Sequence, residues 1–310
     1  MKIMWKPATV LLVVVLLLMT TAVWGCSSPE EESMPIVVSS KTFAEALTLG
    51  EMTAALLIER GYEVVDEIGL GEVAVIRPAM ESGQVDIYWE YTGTGLMNLM
   101  DYGEVVTDPA ETYRLVKEWD DENHNLVWLD YAPANNTFVL FISQQVKEEY
   151  GWSKISEMAA YVGDGENELK LATPAEWTER KDGLPNFQEH YGFNFRDGDL
   201  EIVELGLAYE AVGRNLAHVG IGDATEGRIA YFDLVVLEDD KQFFPAYNPA
   251  PVIRGEVLDE YPELEALLKE LSSLLDADTL TQLNKKVAVD GLQPDQVARD
   301  FLKENNLISE

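Results

Sequence analysis

Residues Val85-Asp-Ile-Tyr-Trp-Glu-Tyr91 are mostly apolar or aromatic and run directly into Thr92-Gly-Thr-Gly95. A short apolar run that stops at small, turn-forming residues is typical of a buried strand that ends in a loop. We therefore interpret Val85 to Tyr91 as a strand and Thr92 to Gly95 as the loop at its carboxyl end.

The residues before this strand alternate between strand and helix patterns. Pro35 to Ser40 and Tyr62 to Ile68 read as strands, and each precedes a stretch with apolar residues at helical spacing. Thr42 and Glu45 have the T-x-x-E spacing of a capping box, which predicts that the first helix begins there. A second helix is predicted from Val73 to Ser82. Strands and helices in this order predict a parallel α/β sheet.

The residues after the Thr-Gly loop repeat this alternation and predict a second α/β lobe. Phe138 to Ile142, Leu169 to Thr173 and Ala217 to Ile221 are the strand candidates, and the chain is helical in pattern from Asp259 onward. Two α/β lobes place the loops at the carboxyl ends of their strands around a common cleft. We expect functional residues in those loops.

The amino terminus has the pattern of a secretory signal, with Lys2 and Lys6 ahead of an apolar run from Ala8 to Met19. The run is shorter than the roughly 20 residues of a membrane-spanning helix. The residues before Cys26 resemble the lipobox of bacterial-type lipoproteins, which implies a lipid on Cys26; an incidental thiol is the alternative. We predict a signal peptide at 1–25 and a solvated tether at 26–34.

The composition excludes several classes of function. The formal net charge of −34 rules out a nucleic-acid partner, because a phosphate backbone is repelled by such a surface. A single cysteine excludes a disulfide framework, and with only three histidines we expect no Cys/His metal site and no cofactor.

The sequence also lacks the motifs by which common enzymes are recognised. It contains no G-x-S-x-G, no G-x-x-x-x-G-K-[ST], no H-E-x-x-H and no C-x-x-C. Carboxylate pairs are too frequent in so acidic a chain to indicate a glycosidase. We therefore expect a binding protein rather than an enzyme.

Six segments, in order, resemble the substrate-binding proteins of glycine betaine/choline/carnitine ABC transporters. The resemblance runs from about Ile36 to Leu307 and implies a two-lobed periplasmic-binding-protein fold of type II, α/β in class, with the ligand in the interlobe cleft. It places lobe I at 35–132 and 246–310 and lobe II at 133–245. The segments are Val38-Ser-Ser-Lys-Thr-Phe43 with Leu49-Gly-Glu51, Glu90-Tyr-Thr-Gly-Thr-Gly95, Asn135-Asn-Thr-Phe138, Thr178-Glu-Arg-Lys-Asp-Gly-Leu-Pro185, Thr225-Glu-Gly-Arg-Ile229 and Leu237-Glu-Asp-Asp-Lys-Gln-Phe-Phe-Pro245.

In that family, tyrosines form a cage around a quaternary ammonium group, and lysine, threonine and arginine hold the ligand's carboxylate. The resemblance puts the carboxylate clamp on Lys41, Thr94 and Arg180, and we add Asn136 to the ligand-binding residues. The cage positions fall on Tyr91, Phe138, Asp223 and Tyr247. A methylated ammonium donates no N–H bond, so aromatic faces replace its water, whereas a carboxylate requires cationic and hydroxyl donors.

Two cage positions depart from the family's pattern. Phe138 keeps the ring without the hydroxyl, and Asp223 is an acid where most members have an aromatic residue. Each site residue also has a structural alternative. Tyr91, Tyr247 and Phe138 could pack in a core or turn; Lys41 and Arg180 could be solvated charges; and Asp223 could be a helix N-cap.

The resemblance implies a lipid-anchored receptor on the outer face of the cell membrane that serves a transporter. It would capture a small zwitterionic ligand for osmoprotectant uptake and deliver it to an ABC transporter permease, acting as a monomer. Because of Asp223, the ligand could also be carnitine, choline or another betaine such as ergothioneine. A ligand-sensing lobe for a signalling partner is the alternative outside transport.

Overall fold

The computed structural model describes residues 34–163, 169–180 and 183–309, without the side chains of Asp197 and Leu205. The predicted signal peptide, Cys26 and the tether up to residue 33 lie outside the described residues. Within the described ranges, no helix has the length and apolarity needed to cross a membrane.

The described residues contain ten strands, which form two sheets of five strands each. The first sheet has the order β2-β1-β3-β10-β4, and the second has the order β7-β6-β8-β5-β9. We call the parts of the chain around these sheets the first and the second lobe. The strands are β1 (Ile36–Ser39), β2 (Val64–Glu67), β3 (Ile87–Tyr91), β4 (Leu126–Trp128), β5 (Phe138–Ile142), β6 (Leu171–Thr173), β7 (Leu200–Ile202), β8 (Val219–Asp223), β9 (Val235–Val236) and β10 (Pro249–Arg254).

The sheets are mixed, which corrects the prediction of a parallel sheet. In the first sheet, β1 runs parallel to β2 and β3, but β10 is antiparallel to β3 and β4. In the second sheet, β6 is parallel to β7 and β8, and β5 is antiparallel to β8 and β9. The antiparallel strands follow from the crossovers between the lobes. Strand β5 is the first strand after the chain enters the second lobe, and β10 is the first strand after it returns to the first lobe.

Helices pack on the sheets and bury mainly aliphatic side chains in the first lobe and a cluster rich in aromatic residues in the second. In the second lobe, Phe187 stacks on Phe244 with ring centroids 5.8 Å apart. The α-helices of four or more residues are α1 (Ala44–Glu59), α2 (Val73–Glu81), α3 (Pro109–His124), α4 (Gln144–Tyr150), α5 (Ile155–Gly163), α6 (Leu184–Tyr191), α7 (Leu205–Gly213), α8 (Arg228–Tyr231), α9 (Gly255–Glu260), α10 (Glu263–Ser273), α11 (Ala277–Ala288) and α12 (Pro294–Glu304). The predicted loop at Thr92 to Gly95 is helical instead, because a short helix, Thr92–Thr94, leads into a π-helix, Gly95–Leu99.

The predicted capping box at the start of α1 is wrong. The N-cap is Phe43, which makes no side-chain cap. The Thr42 hydroxyl donates a hydrogen bond to Glu72, and the Glu45 carboxylate turns into the protein interior. The local spacing is right for a cap, but Thr42 instead donates to a distant acceptor, and Glu45 accepts from distant donors.

The chain crosses between the lobes at two segments that run side by side, residues 129–137 and 237–248. Asn248 Nδ2 donates to the carbonyl oxygens of Ala132 and Ala134, at 3.2 and 2.7 Å. The Asn136 backbone N–H donates to the Tyr247 carbonyl at 3.0 Å. Asn136 and Tyr247, both predicted ligand residues, are thus fixed together between the lobes.

Candidate ligand-binding site

A cavity of about 490 Å³ lies between the lobes and is lined by all eight predicted ligand residues. It is bordered by the ends of strands from both sheets: Tyr91 is the last residue of β3, Phe138 the first of β5 and Asp223 the last of β8. The complete lining is Lys41, Phe43, Glu72, Val73, Ala74, Tyr91, Thr94, Asn136, Phe138, Glu176, Arg180, Asp223 and Tyr247.

Lys41 enters the cavity wall from the loop after β1 and forms a buried ion pair with Glu90. Its ammonium also lies 5.1 Å from the centre of the Tyr91 ring. Glu90 is fully buried and further accepts bonds from the Tyr91 backbone N–H, at 2.7 Å, and the Tyr88 hydroxyl, at 3.1 Å. Lys41 is therefore not a solvated surface charge, since a charge this buried requires a partner.

Glu90 was not predicted as the partner of Lys41, although the sequence contains a signal for it. Glu90 is a carboxylate within an otherwise apolar strand, Ile87–Tyr91, and a charge in a buried strand must be paired or bind a ligand. The same argument applied to Lys41, one of few cations in the chain, would have suggested the pair.

Aromatic rings from both lobes form opposite walls of the cavity. Phe138 and Tyr247 meet edge to face, with centroids 5.6 Å apart, and Phe43 packs at 5.8 Å from Tyr91. Phe43 belongs to the first segment that resembles the family, Val38 to Phe43, but was not predicted as a site residue. The rings leave aromatic faces at the cavity, which suits a cation without N–H donors.

Arg180 lies on the second-lobe side of the cavity, after a short 3₁₀ turn at Glu176–Thr178. Its guanidinium pairs with Glu176 at 2.9 Å and lies 5.3 Å from the centre of the Phe138 ring. A further bond of 3.4 Å joins Arg180 Nη2 to the Tyr247 hydroxyl. Arg180 thus contacts two of the predicted cage residues as well as lining the cavity.

Asp223 is opposite Phe138 in the register of β5 and β8, so its position at the cavity follows from strand pairing. The nearby helix α8 begins five residues later with Gly227 as its N-cap, so Asp223 is not the cap of that helix. Burial, together with the neighbouring carboxylates of Glu45 and Glu226, raises the pKa of Asp223 to about 8, against the opposing effect of Arg180 and Lys41. A cation beside Asp223 would stabilise the charged carboxylate and lower this pKa.

A second cavity, of about 320 Å³, shares Phe43, Asn136 and Asp223 with the first. Asp223 therefore stands between two spaces in the cleft. A longer side chain at position 223 would have room to extend, and so would a ligand with more bulk than a trimethylated amine. Glu226 and Arg228, which form an ion pair of 3.0 Å, line this second space.

The arrangement combines features for both signs of charge. The aromatic faces and Asp223 suit a cationic group, and Lys41, Thr94 and Arg180 suit a carboxylate. The described residues include no group of three or more His, Cys, Asp or Glu side chains that could hold a metal ion. The site is thus suited to a small zwitterion.

Known proteins are similar to this chain in sequence and fold over most of its length. The family model described as the substrate binding domain of an ABC-type glycine betaine transport system matches residues 34–304. The glycine betaine-binding protein YehZ of Escherichia coli is 36% identical over 90% of this chain and 93% of its own. A glycine-betaine-binding protein of Pseudomonas aeruginosa is 37% identical over 88% of each chain.

A third relative carries a different ligand in its name. The ergothioneine transport permease/ergothioneine binding protein EgtU of Helicobacter pylori is 31% identical over 91% of this chain and 50% of its own length. Among solved structures, a glycine betaine/carnitine/choline ABC transporter protein superposes with a TM-score of 0.75 at 26% identity, over 88% of this chain and all of that one.

Proposed function

The chain belongs to the family of substrate-binding domains of ABC-type glycine betaine transport systems, and on this premise we propose that it captures a zwitterionic quaternary-ammonium compound in the interlobe cavity. Membership confirms the predicted family, the α/β two-lobed type II periplasmic-binding-protein fold, and the expectation that the chain is not an enzyme. As a binding protein of an ABC transporter, it serves a small ligand and a permease.

The observation that carries the proposal is the convergence of all eight predicted residues on one cavity. Its volume of about 490 Å³ falls within the usual range for small-molecule sites, about 300–1,000 Å³. Each aromatic face contributes roughly 0.5–2 kcal/mol to a desolvated cation. Three rings and one charged clamp are enough for a micromolar Kd, which corresponds to about −8 kcal/mol.

We place the ammonium group among Tyr91, Phe138 and Tyr247 and the carboxylate at Lys41 and Arg180. Both cations already have acidic partners, Glu90 and Glu176. The Glu176 side chain is 65% exposed, so it can return to water at little cost when a ligand carboxylate takes its place on the guanidinium. The pair of Lys41 with the buried Glu90 instead fixes the ammonium of Lys41 in the wall.

Asp223 directs the choice among ligands. A carboxylate accepts a hydrogen bond from an N–H or O–H group, which the fully methylated ammonium of glycine betaine does not offer. We therefore propose a betaine with a hydrogen-bond donor or additional bulk, and the name of the Helicobacter relative keeps ergothioneine among the candidates. Carnitine and choline, which carry hydroxyl groups, belong to the same comparison.

The test is a thermal-shift and calorimetric screen of the full-length chain in detergent against glycine betaine, carnitine, choline, ergothioneine and proline. A true ligand at 100 times its Kd stabilises the folded state by about 2.7 kcal/mol, which gives a clear rise in Tm. Tyr91→Ala is the matched variant and should reduce this stabilisation by about 1–2 kcal/mol, because it removes one aromatic face. A panel in which no compound raises the Tm would overturn the proposal.

We further propose that the protein is anchored outside the cytoplasmic membrane by a lipid on Cys26, functions as a monomer, and divides into lobes at residues 132/133 and 245/246. The position of the single cysteine after the signal-like sequence supports the anchor. Cys26→Ala should leave the protein without labelled fatty acid in cells fed a lipid precursor. Label on the variant would show that the lipid is attached elsewhere.

A further inference from the structure

Glu45, in the first turn of α1, is a buried carboxylate that neither the sequence analysis nor the proposed ligand contacts account for. Its side chain belongs to a residue that is 2% exposed. Four neutral donors converge on its two oxygens. Oε1 accepts from the Tyr91 hydroxyl at 2.8 Å and from Asn136 Nδ2 at 3.0 Å; Oε2 accepts from the Thr225 hydroxyl and from Asn284 Nδ2, each at 2.6 Å.

The four donors come from distant parts of the chain. Tyr91 ends β3, Asn136 lies in the first crossover, Thr225 follows β8 of the second lobe, and Asn284 belongs to α11 of the first lobe. Thr225 makes two further hydrogen bonds to members of this network. Its backbone N–H donates to Asn136 Oδ1 at 3.2 Å, and its carbonyl oxygen accepts from Asn284 Nδ2 at 3.0 Å. Glu45 therefore lies at the centre of a network that joins the two lobes.

Burying the Glu45 carboxyl group in this network costs free energy, so the network is a poor source of fold stability. Among the ion pairs of the described residues, none includes Glu45, and burial raises the pKa of its carboxyl group even though all four hydrogen bonds oppose that rise. A buried carboxyl group without a cation is usually less favourable than a well-packed apolar residue. The arrangement is better explained by what it positions, since Tyr91 and Asn136 both line the ligand cavity.

We propose that Glu45 is a positioning residue for ligand binding: it holds Tyr91 and Asn136 in the cavity wall and ties Thr225 of the second lobe to the first lobe. Glu45 does not line the cavity of about 490 Å³ in which we place the ligand, so it acts on that cavity through these neighbours, although it lines the adjoining space of about 320 Å³. The inference rests on the proposed function for its effect on affinity, but its effect on the arrangement of the lobes is independent of any ligand.

Glutamine at position 45 is the most informative change, because it keeps the size and loses one acceptor. The amide groups of Asn136 and Asn284 cannot turn to accept, since their oxygen or nitrogen is fixed by Thr225. Whichever side the new NH₂ group takes, it faces one of these amide donors. The variant therefore breaks the network on one side at minimal change in shape.

The experiment compares Glu45→Gln with Glu51→Gln, a half-buried glutamate on the same helix that does not line either cavity. Full-length proteins in detergent are titrated with glycine betaine and with the best ligand of the screen. Small-angle scattering, with the detergent contrast-matched, measures the separation of the lobes without ligand. Thr225→Val, which removes one hydroxyl from the network, is the second variant if Glu45→Gln fails to fold.

We expect Glu45→Gln to weaken binding at least tenfold and to widen the ligand-free particle, while Glu51→Gln stays within twofold of the wild type. Adding Tyr91→Phe to Glu45→Gln should weaken binding by less than the product of the two separate effects, because both remove the same contact. Thr225→Val should weaken binding severalfold.

Unchanged affinity and unchanged lobe separation in Glu45→Gln, or in Thr225→Val where the first variant does not fold, would overturn the inference while leaving the proposed function intact. If the wild type binds none of the compounds, the proposed function fails. The scattering comparison then decides on Glu45 alone: a wider particle supports the network as a link between the lobes, and an unchanged one refutes it.

Discussion

The ring of Tyr247 packs directly on Gly93, so closely that a β-carbon at position 93 would lie 2.6 Å from the ring carbons. Gly93 belongs to a short helix, Thr92–Thr94, that follows β3 in the first lobe, whereas Tyr247 lies in the second crossover. The absence of a side chain at position 93 therefore sets where one wall of the ligand cavity stands.

Gly93→Ala should weaken ligand binding by about tenfold or more, because the ring of Tyr247 must move away from the methyl group. Gly103→Ala is the matched control, since a β-carbon there meets no atom within 4 Å. Isothermal titration of both variants measures the effect. Equal affinities would show that Tyr247 can shift without loss and is not a fixed part of the site.

Asp223→Asn should make the protein more stable in mildly alkaline buffer. The pKa of Asp223 is raised from 3.8 to about 8 in the folded chain, so the folded state holds a proton that the unfolded state has lost. Stability is then full below about pH 4 and falls as the pH rises toward 8. Asparagine removes this loss because it never ionises.

Thermal denaturation between pH 5 and pH 9 measures this effect in the ligand-free protein. The Tm of the wild type should fall more steeply with pH than that of Asp223→Asn, and the difference should level off above about pH 8. Glu45, Glu226, Arg180 and Lys41 face the same group and contribute to both curves. Parallel curves would mean that Asp223 ionises freely.

Asp223→Tyr should shift the preference among ligands toward glycine betaine by at least about tenfold, which corresponds to 1.4 kcal/mol. The new ring would add an aromatic face for the trimethylammonium group and remove an acceptor that this group does not use. The space beside Asp223, about 320 Å³, gives room for the longer side chain. Competitive titration gives the rank order; an unchanged order would place residue 223 outside ligand selection.

Arg180→Ala should weaken carboxylated betaines by about 2 kcal/mol or more, roughly thirtyfold, while choline changes little because it has no carboxylate. Arg214→Ala is the control, since its guanidinium is an exposed partner of Glu210 on the second lobe. Titration with glycine betaine and choline measures the contrast. An equal loss for choline would mean that Arg180 acts by packing on Phe138 rather than on a carboxylate.

The two tyrosines should differ when only their hydroxyls are removed. Tyr91→Ala and Tyr247→Ala should each cost about 1–2 kcal/mol of binding free energy, because each loses an aromatic face. Tyr247→Phe loses the long bond of 3.4 Å from Arg180 and should bind nearly as well as the wild type, whereas Tyr91→Phe loses its bond of 2.8 Å to the buried Glu45 and should bind less well. Calorimetry of all four variants tests this; equal effects of the two phenylalanine variants would contradict it.

The sequence was most informative where structure is local. Strand β5 has the predicted bounds, and the strand predicted at Ala217 to Ile221 is shifted by two residues, so that it ends at Asp223. The position of β10 between β3 and β4 was not predicted, because it depends on where a chain that has left the lobe returns. No local pattern encodes that position.

The site residues came from family resemblance, and the structure places them in one cavity without testing their role. Residue chemistry alone did not predict that Phe43 lines the cavity or that Glu45 and Glu90 are buried beside it. Glu45 shows why: its spacing to Thr42 indicates a helix cap, yet its donors lie 46 to 239 positions away along the chain. Such contacts become visible only after folding has brought the segments together.

The bonds from Asn248 to Ala132 and Ala134 have a mechanical consequence. Because the two crossover segments are hydrogen-bonded to each other, we expect them to bend as one unit. The lobes should then rotate about a single axis without sliding past each other. Tyr247 and Asn136 sit close to that pivot and would travel least. Arg180, on the second lobe outside the two crossovers, would move with that lobe, so that a ligand is first held by Lys41 and Tyr91 and then enclosed.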